Sequence, residues 1–472
     1  MKKIIKLLSL VLILTLLLST YACGKGNADL EVLNSINFQN QTVVYDGKSH
    51  SLEISDLPNG VTVVYGGNEK VNAGVYTVTA KLSLNGSSVE KTATLTINKS
   101  VLTVKAKDAL IYQGESDFGY EIEGFVNGET VEVLTQLPTF INDKLQPGEY
   151  TDYIKFSGGS ANNYDFVYQG ADLKILPLYS EYTENNVDYI EFGEYPQTVV
   201  SDTTLLANLI QAYDEYKLDN SGYFVYNAQK YYKATATVME NMDDLVEKNI
   251  KFADGTPIVN NEVYFFKVEP IKWRVVSEDG GEYVLMSEKL IDTKEYHSSA
   301  KTEKDENDKE IYGSNWEFSD IRKWLNGEFY NMAFKSVHQP FTFEDVTKNN
   351  PATALYERYA NGSNTLDKVY LASYSEIKDL DKSVLLAVTT DYARAMGAYM
   401  LYGDNGYWWT RSPGQTGSPS GIYPSTGTSP TELANVSVVA PNVTDQVVLD
   451  KYNGVKNQWT CVRPFINFSF AD

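Results

Sequence analysis

Cysteine and histidine, which carry much of the metal and redox chemistry of proteins, are scarce in this chain. Its 472 residues include two cysteines, Cys23 and Cys461, and three histidines, His50, His297 and His338. No spacing of these residues fits zinc, which is held by Cys and His in close sequence pairs. Neither His297 nor His338 lies near a nucleophile that it could activate as a base. We therefore expect no metal site, no cofactor and no catalytic residue.

Basic residues are also in short supply. The chain has 40 lysines and arginines against 62 aspartates and glutamates, so its formal net charge is −22. Binding to nucleic acid or to anionic lipid requires clustered positive charge. The composition therefore argues against both partners for the polypeptide itself. The acidic run at 305–308 lacks the glycine and the terminal glutamate of a calcium loop, which favours a solvated loop.

The apolar run near the N-terminus is short. It extends from Leu7 to Leu18 and follows Lys2, Lys3 and Lys6, whereas a membrane-spanning helix needs about 20 apolar residues. A positive segment followed by a short apolar one is typical of a secretory signal. We predict a signal peptide over residues 1–22 and a protein that works outside the cytoplasm.

This run ends in Ser19-Thr20-Tyr21-Ala22-Cys23-Gly24, which resembles the cleavage site of bacterial lipoproteins, although Thr20 stands where that family prefers leucine. The resemblance implies that Cys23 is the lipidated first residue of the mature protein, which the lipid anchors to the outer face of the cell membrane. Cys461 would then have no disulfide partner. The alternative is an ordinary cleaved signal followed by an incidental cysteine.

The next part of the chain is repetitive. We interpret residues 23–32 as a tether, and residues 33–98 and 100–177 as two repeats of short alternating strands separated by turn residues. Ordered matches between two segments indicate tandem domains. Three strings of the first repeat have a match in the second, in the same order. Tyr45-Asp46-Gly47 matches Tyr112-Gln113-Gly114, Gly74–Thr77 matches Gly148–Thr151, and Leu95–Ile97 matches Leu173–Ile175.

With these shared motifs the two repeats resemble the MBG family of bacterial immunoglobulin-like repeats. The second repeat resembles it more closely, through Gly124–Thr130 and Ala161–Phe166. The resemblance implies two all-β immunoglobulin-like sandwiches. Such domains commonly form the stalks of surface adhesins, and some occur in glycan-binding proteins. Because the residues of these copies show no site, we expect a spacer role.

The rest of the chain differs from the repeats because it mixes strand patterns with helix patterns. We interpret residues 178–187 as a linker and 188–472 as an α+β C-terminal domain. Apolar spacing predicts helices over 203–216 and 318–334, the second beginning at Ser319 or Asp320. Strands are predicted at 262–268, 271–276, 283–286 and 368–371.

Five strings in this domain closely resemble a domain-of-unknown-function family of surface proteins and lipoproteins from Gram-positive gut bacteria. They are Tyr189–Gln197, Pro270–Val275, Trp316–Asn326, Tyr407–Gly414 and Val462–Pro464. The last two also resemble the C-type-lectin-like and formylglycine-generating-enzyme fold. Formylglycine-generating activity needs a copper-binding cysteine pair that is absent here, so the resemblance does not imply that activity. Cys461 stands where the family has glycine, and we interpret it as a small buried residue.

The candidate ligand-binding residues are Trp408, Trp409 and Arg411. An arginine fork beside aromatic faces suits sugars, carboxylates or peptide ends. In the alternative interpretation a tryptophan packs in the core and Arg411 or Arg463 forms a buried ion pair.

Together these observations predict a non-enzymatic, lipid-anchored cell-surface protein. Its stalk would present the C-terminal domain for adhesion to a glycan, a cell-wall component or a host surface protein. Two alternatives remain open. The C-terminal domain could be a carbohydrate- or peptide-active enzyme that uses paired carboxylates, or a purely structural assembly module.

Overall fold

The protein is mostly β-strand and contains several separate sheets. A computed structural model describes residues 27–116, 118–141, 146–215, 218–238, 251–298, 303–304, 308, 310–311, 313–347, 363–400, 403–413, 435–441 and 447–470. The chain divides into two compact units. The first comprises Met1–Lys107, Phe118–Asp143 and Thr151–Ala171, and the second comprises Asp108–Asp117, Lys144–Tyr150 and Asp172–Asp472. The division therefore falls inside the second repeat.

The first unit is built from antiparallel and parallel strands whose alternate residues are buried. Its strands are β1 (Gln41–Val44), β2 (Thr62–Gly66), β3 (Gly74–Leu84), β4 (Ser87–Asn98), β5 (Ser100–Ala106), β7 (Tyr120–Glu123), β8 (Leu134–Phe140), β10 (Phe156–Ala161) and β11 (Tyr164–Gln169). They form sheets in the orders β1-β4-β3-β2 and β11-β5-β7, and β8 pairs with β10. Val78, Leu95, Leu102 and Tyr164 belong to one buried cluster, so residues of both repeats share a core.

The second unit contains the larger sheets. Its strands are β6 (Ala109–Tyr112), β9 (Gly148–Ile154), β12 (Ala171–Leu176), β13 (Tyr179–Glu184), β14 (Val187–Val199), β15 (Phe224–Tyr226), β16 (Gln229–Thr235), β17 (Val263–Asp279), β18 (Glu282–Ser287), β19 (Asp292–Thr293), β20 (Glu303–Lys304), β21 (Glu310–Ile311), β22 (Asp345–Thr347), β23 (Thr365–Asp367), β24 (Val369–Tyr370), β25 (Trp408–Pro413), β26 (Asn435–Pro441), β27 (Val447–Gly454), β28 (Cys461–Val462) and β29 (Phe465–Ser469). The boundary between the units crosses β9 after Tyr150 and β12 after Ala171.

Three sheets organise these strands. One has the order β6-β12-β9, and a second has the order β13-β14-β17-β18-β29-β24, with β16 attached to β17 and β15 attached to β16. The third has the order β19-β28-β25-β26-β27, in which β25 is the central strand. Elements between the strands cover this sheet, so β25 is buried on both faces.

Helices are short. Residues 27–35 form α1. The others are α2 (Thr203–Ala212), α3 (Asp320–Trp324), α4 (Tyr330–Ala333), α5 (Tyr374–Ile377), α6 (Lys382–Leu385) and α7 (Asp391–Ala395), and the π-helical stretch Leu325–Phe329 joins α3 to α4.

Both helices predicted in the C-terminal domain are confirmed. Asp202 caps α2 by accepting the backbone N–H of Leu205 at 2.7 Å. The Ser319 hydroxyl caps α3 by accepting the N–H of Arg322 at 3.3 Å. A side-chain oxygen at the cap satisfies one of the amide groups that a helix start leaves without a partner.

Two local expectations are corrected. The predicted tether is helical from residue 27, because Leu33 and Ile36 pack against Leu82. The predicted linker forms strand β13, which makes a hairpin with β14. Asn185 and Asn186 both have positive φ, 52° and 61°, and two such residues make a tight turn that suits the twist of a hairpin.

The strands predicted at 262–268 and 271–276 are one continuous strand, β17, that passes through Pro270. Proline cannot donate a ladder hydrogen bond, and in sheets it is found at edges or bulges. Here the partner strand β14 is irregular between Glu191 and Glu194, opposite Pro270. This irregularity accommodates the proline.

Among the described residues, no helix has both the length and the apolar character that a membrane span requires. Residues 1–22 and Cys23, on which the predicted signal and anchor depend, lie outside the described residues.

Candidate ligand-binding groove

A groove of about 450 Å³ lies in the second unit, where β14 and β17 meet the segment after β18. Sites for small ligands typically measure about 300–1,000 Å³. Leu110 of β6 and Leu176 of β12 contribute apolar surface. The charged residues that line it are Lys174, Glu191, Glu269, Lys272, Glu288 and Lys289, and Gln197 is among its uncharged polar residues.

Gly193 creates the local backbone shape beside this groove. Its φ is +68°, and an added Cβ would lie 2.6 Å from the Phe334 ring and 2.8 Å from the Ala333 carbonyl oxygen. Only glycine adopts this conformation in so little space. Near the resulting irregularity, the Gln197 amide donates to the carbonyl oxygens of Pro270 at 2.8 Å and Glu269 at 3.1 Å.

Lys272 is held in place by both charge and aromatic contact. Its Nζ lies 2.5 Å from a Glu184 carboxylate oxygen, and the side chain keeps 31% of its surface exposed. The same Nζ lies 4.0 Å from the centre of the Tyr189 ring and 5.3 Å from that of Tyr182. Burial lowers the pKa of Lys272, but the hydrogen bonds to Glu184 and Tyr182 outweigh it, so the net pKa is raised. The amine therefore stays cationic.

The carboxylates of the groove already accept hydrogen bonds. Arg274 binds both oxygens of Glu288, at 2.8 and 2.9 Å. Burial alone would raise the pKa of Glu288, but the bond to Arg274 outweighs it and the pKa is lowered. Glu269 accepts the Thr198 hydroxyl at 2.6 Å, and Glu191 accepts the Tyr182 hydroxyl at 3.0 Å. These contacts hold the three carboxylates in fixed positions.

Lys289 differs from Lys272 because it is exposed and forms no ion pair with any residue that the structure describes. The groove thus combines three cations with three fixed carboxylates. Lys174 and Lys272 are each paired with a glutamate, whereas Lys289 is exposed. Such an arrangement can donate and accept hydrogen bonds to a polar ligand such as a sugar or a charged peptide.

Trp408, Trp409 and Arg411, the residues predicted to bind a ligand, lie in the interior. Both tryptophans have no exposed surface, and Arg411 is 2% exposed. The indole N–H groups donate to the carbonyl oxygens of Leu385 at 3.1 Å and Lys294 at 2.8 Å. The structure therefore favours the alternative in which these side chains are core residues.

Arg411 is a buried side chain that forms an ion pair, although its partner Glu376 keeps 44% of its side-chain surface exposed. One of its terminal nitrogens donates to the Leu371 carbonyl oxygen at 2.6 Å and to Glu376 at 2.7 Å. The other terminal nitrogen contacts the second Glu376 oxygen. Arg411 is buried because residues pack on both faces of β25, where Trp409 belongs to one buried cluster and Trp408 to another.

The cysteine and the two histidines of the C-terminal domain make contacts that fit a structural role. Cys461 is buried, and burial raises the pKa of its thiol, as expected for an inert small core residue. His297 lies 3.6 Å from Asp320, and His338 is fully buried. Within the described part of the chain, no group of three His, Cys, Asp or Glu side chains could hold a metal ion.

Sequence reasoning missed the groove, although Glu191 and Lys272 both lie in strings that the sequence analysis singled out. No local pattern marks them as neighbours, because β14 and β17 pair at a separation of about 80 residues, with Glu191 opposite Lys272. The one local signal of the groove was that Glu191 and Lys272 are charged residues flanked by apolar residues in strand strings.

The described residues thus define a multidomain, mostly β protein with a polar groove in its second unit. Residues 102–174 match the family model of the MBG domain (YGX type), and residues 280–467 match that of a domain of unknown function (DUF6273). No curated protein matches the chain. Most of the residues that line the groove lie between the two matched segments, whereas Leu110 and Lys174 fall in the first match and Glu288, Lys289 and Ile291 in the second.

Proposed function

We propose that this protein is a lipid-anchored surface protein whose C-terminal domain binds a polar extracellular ligand without catalysis. The groove carries the proposal, because its charged side chains are held in fixed positions while Lys272 and Lys289 keep exposed surface. A site whose polar groups are already ordered loses little conformational entropy when a ligand binds. The proposed ligand is a glycan, a cell-wall component or a host surface protein.

The state of the carboxylates supports binding over turnover. A general base works best when its pKa lies near the working pH. The pKa of Glu288 is instead lowered by its bond to Arg274, and Glu269 and Glu191 already accept hydroxyl donors. These groups are therefore better suited to accept hydrogen bonds from a ligand than to remove its protons.

The first prediction concerns Lys272. Replacing it with methionine keeps most of the apolar stem and removes the charge. We expect the affinity for the ligand to fall about tenfold or more, as for the loss of one charged hydrogen bond. The measurement is calorimetric titration of the full-length chain against glycans, peptidoglycan fragments and peptides. The matched control is Lys233→Met, because Lys233 also lies over a tyrosine ring, 3.8 Å from the centre of Tyr213, outside the groove lining.

Equal affinity of the wild type and the Lys272→Met variant for every bound compound would place the site elsewhere. Hydrolysis or transfer of any compound in the same panel would contradict a non-enzymatic role.

The second prediction tests the anchor. We expect Cys23→Ser to release the protein from the cell membrane into the medium, because a protein held by acyl chains loses that attachment when no cysteine is available for lipidation. Fractionation of cells that express each form, followed by immunoblotting, measures the change. Ligand affinity should stay the same, since no residue before Leu110 lines the groove. Retention of the variant in the membrane fraction would show that the lipid is not on Cys23.

A further inference from the structure

Tyr45 and Tyr112 occupy equivalent positions in the two repeats. Tyr45 follows β1, which runs parallel to β4, and the Tyr45 N–H donates to the Asn98 carbonyl oxygen at 2.8 Å. Tyr112 ends β6, which runs parallel to β12 and pairs Tyr112 with Leu176. Because the paired strands are parallel and β4 and β12 end their repeats, each tyrosine lies where the chain leaves its repeat. This position is open to contact with the next domain.

In the first repeat, the tyrosine bonds to the second repeat. The Tyr45 hydroxyl donates to Glu129 at 2.6 Å, and Tyr164 donates to the other oxygen of the same carboxylate. The Tyr45 and Tyr164 rings meet edge to face at 5.5 Å. Gly47 of the same Tyr-x-Gly motif is so close to Asn127 that an added Cβ would lie 2.5 Å from the Asn127 Cβ.

In the second repeat, the tyrosine bonds to the C-terminal domain. The Tyr112 hydroxyl donates to Glu194 at 3.0 Å. Lys230 binds both oxygens of Glu194 at 2.8 and 2.9 Å, and its Nζ lies 4.8 Å from the centre of the Tyr112 ring. The His338 ring meets the Tyr112 ring edge to face at 4.2 Å. All four side chains are buried.

The two arrangements share more than the donor. Each acceptor glutamate directly follows a glycine of positive φ, Gly128 at 74° and Gly193 at 68°. The separation between donor and acceptor is 84 residues in the first case and 82 in the second. Burial, together with the adjacent carboxylate, raises the pKa of both tyrosines, so both hydroxyls remain protonated donors. Recurrence of geometry, motif and spacing is not expected of an incidental contact.

We propose that the Tyr-x-Gly tyrosine of each repeat is a docking residue, whose hydroxyl bonds to a Gly-Glu carboxylate of the following domain and couples the stability of the two. We name this bond the tyrosine latch. The partner surface is thus a second domain of the same chain that presents a carboxylate beside a ring. This inference is independent of the ligand-binding role, since neither latch includes a residue that lines the groove.

Hydrogen exchange of the full-length chain tests the latch. Tyr45→Phe and Tyr112→Phe each remove one hydroxyl and keep the ring. We expect Tyr45→Phe to accelerate amide exchange about tenfold or more around Glu129 and in β11, and Tyr112→Phe to do the same around Glu194 and in β16, as loss of a hydrogen bond to a carboxylate predicts. Each variant should leave the other's partner region unchanged.

The matched control is Tyr76→Phe, because the Tyr76 hydroxyl donates to the Asn72 carbonyl oxygen of its own repeat at 2.8 Å. Its effect should stay within the first repeat. Glu129→Gln retains an acceptor and should give a smaller change than Tyr45→Phe. Faster exchange confined to the repeat that carries the substitution, or no change in either variant, would overturn the proposal.

Discussion

Replacing Trp409 with alanine is expected to lower the free energy of unfolding by about 3–5 kcal/mol, the usual loss when a large aromatic side chain is removed from a core. Trp409 has no exposed surface and packs 5.6 Å from the Tyr296 ring, measured between ring centres. The substitution would leave a cavity and deprive the Lys294 carbonyl oxygen of the indole donor. Neither loss can be made good by water in a dry interior.

Chemical denaturation of the full-length chain, followed by circular dichroism, measures this change. The control is Trp324→Ala. Because Trp324 is only half-buried, this substitution should lower the free energy of unfolding clearly less than Trp409→Ala does. If the Trp409→Ala variant unfolded like the wild type but lost ligand affinity, Trp409 would be a binding residue and the core interpretation would be wrong. The loss of stability would also unfold part of the population, so affinity must be measured where the variant remains folded.

The protein is also expected to lose stability in mild acid because of His338. The buried ring has a pKa lowered from 6.5 to about 3, first by burial and then by the positive charges of Lys230 and Lys335. Its Nδ1 accepts the backbone N–H of Lys335 at 3.2 Å, and its Nε2 has no hydrogen-bond partner among the described residues. The ring is therefore neutral in the folded state.

The direction of the pH effect follows from this difference. The folded-state pKa lies below the unfolded value, so the stabilisation is complete above pH 6.5 and is lost as pH falls toward about 3. Each pH unit in that window is worth about 1.4 kcal/mol, which amounts to on the order of 3 kcal/mol by pH 4. The rings of Tyr112 and Phe192 also face the His338 ring, and the Tyr112 hydroxyl donates to Glu194.

Urea denaturation at pH 7 and pH 4 measures the loss for the wild type and for His338→Phe. Phenylalanine keeps a ring against Tyr112 but cannot be protonated, so the variant should lose on the order of 3 kcal/mol less between these pH values. It will be less stable at pH 7, because the Lys335 N–H loses its acceptor; the comparison therefore uses the difference between pH values. Equal acid sensitivity of wild type and His338→Phe would show that other groups carry it.

Local sequence patterns predicted a large part of the structure. The helix at 203–216 and the cap at Ser319 are confirmed because caps and apolar periodicity act within a few residues. The match of 102–174 to the MBG family lies within the predicted second repeat. The segment at 178–187 was misjudged because polar residues such as Asn185 and Asn186 favour both linkers and hairpin turns, and only pairing with β14 distinguishes the two.

The amino-acid sequence by itself determined the scarcity of metal ligands, the acidic charge, the tandem repeats and the domain order, because each is a property of composition or of short segments. Tertiary structure alone decided that Trp408, Trp409 and Arg411 are buried, that Glu191 and Lys272 share a groove, and that Tyr45 and Tyr112 each reach a glutamate more than 80 residues away. The physical reason is that burial and pairing depend on which strands become neighbours. Strand register is set by the summed packing of the sheets, and no short segment encodes it.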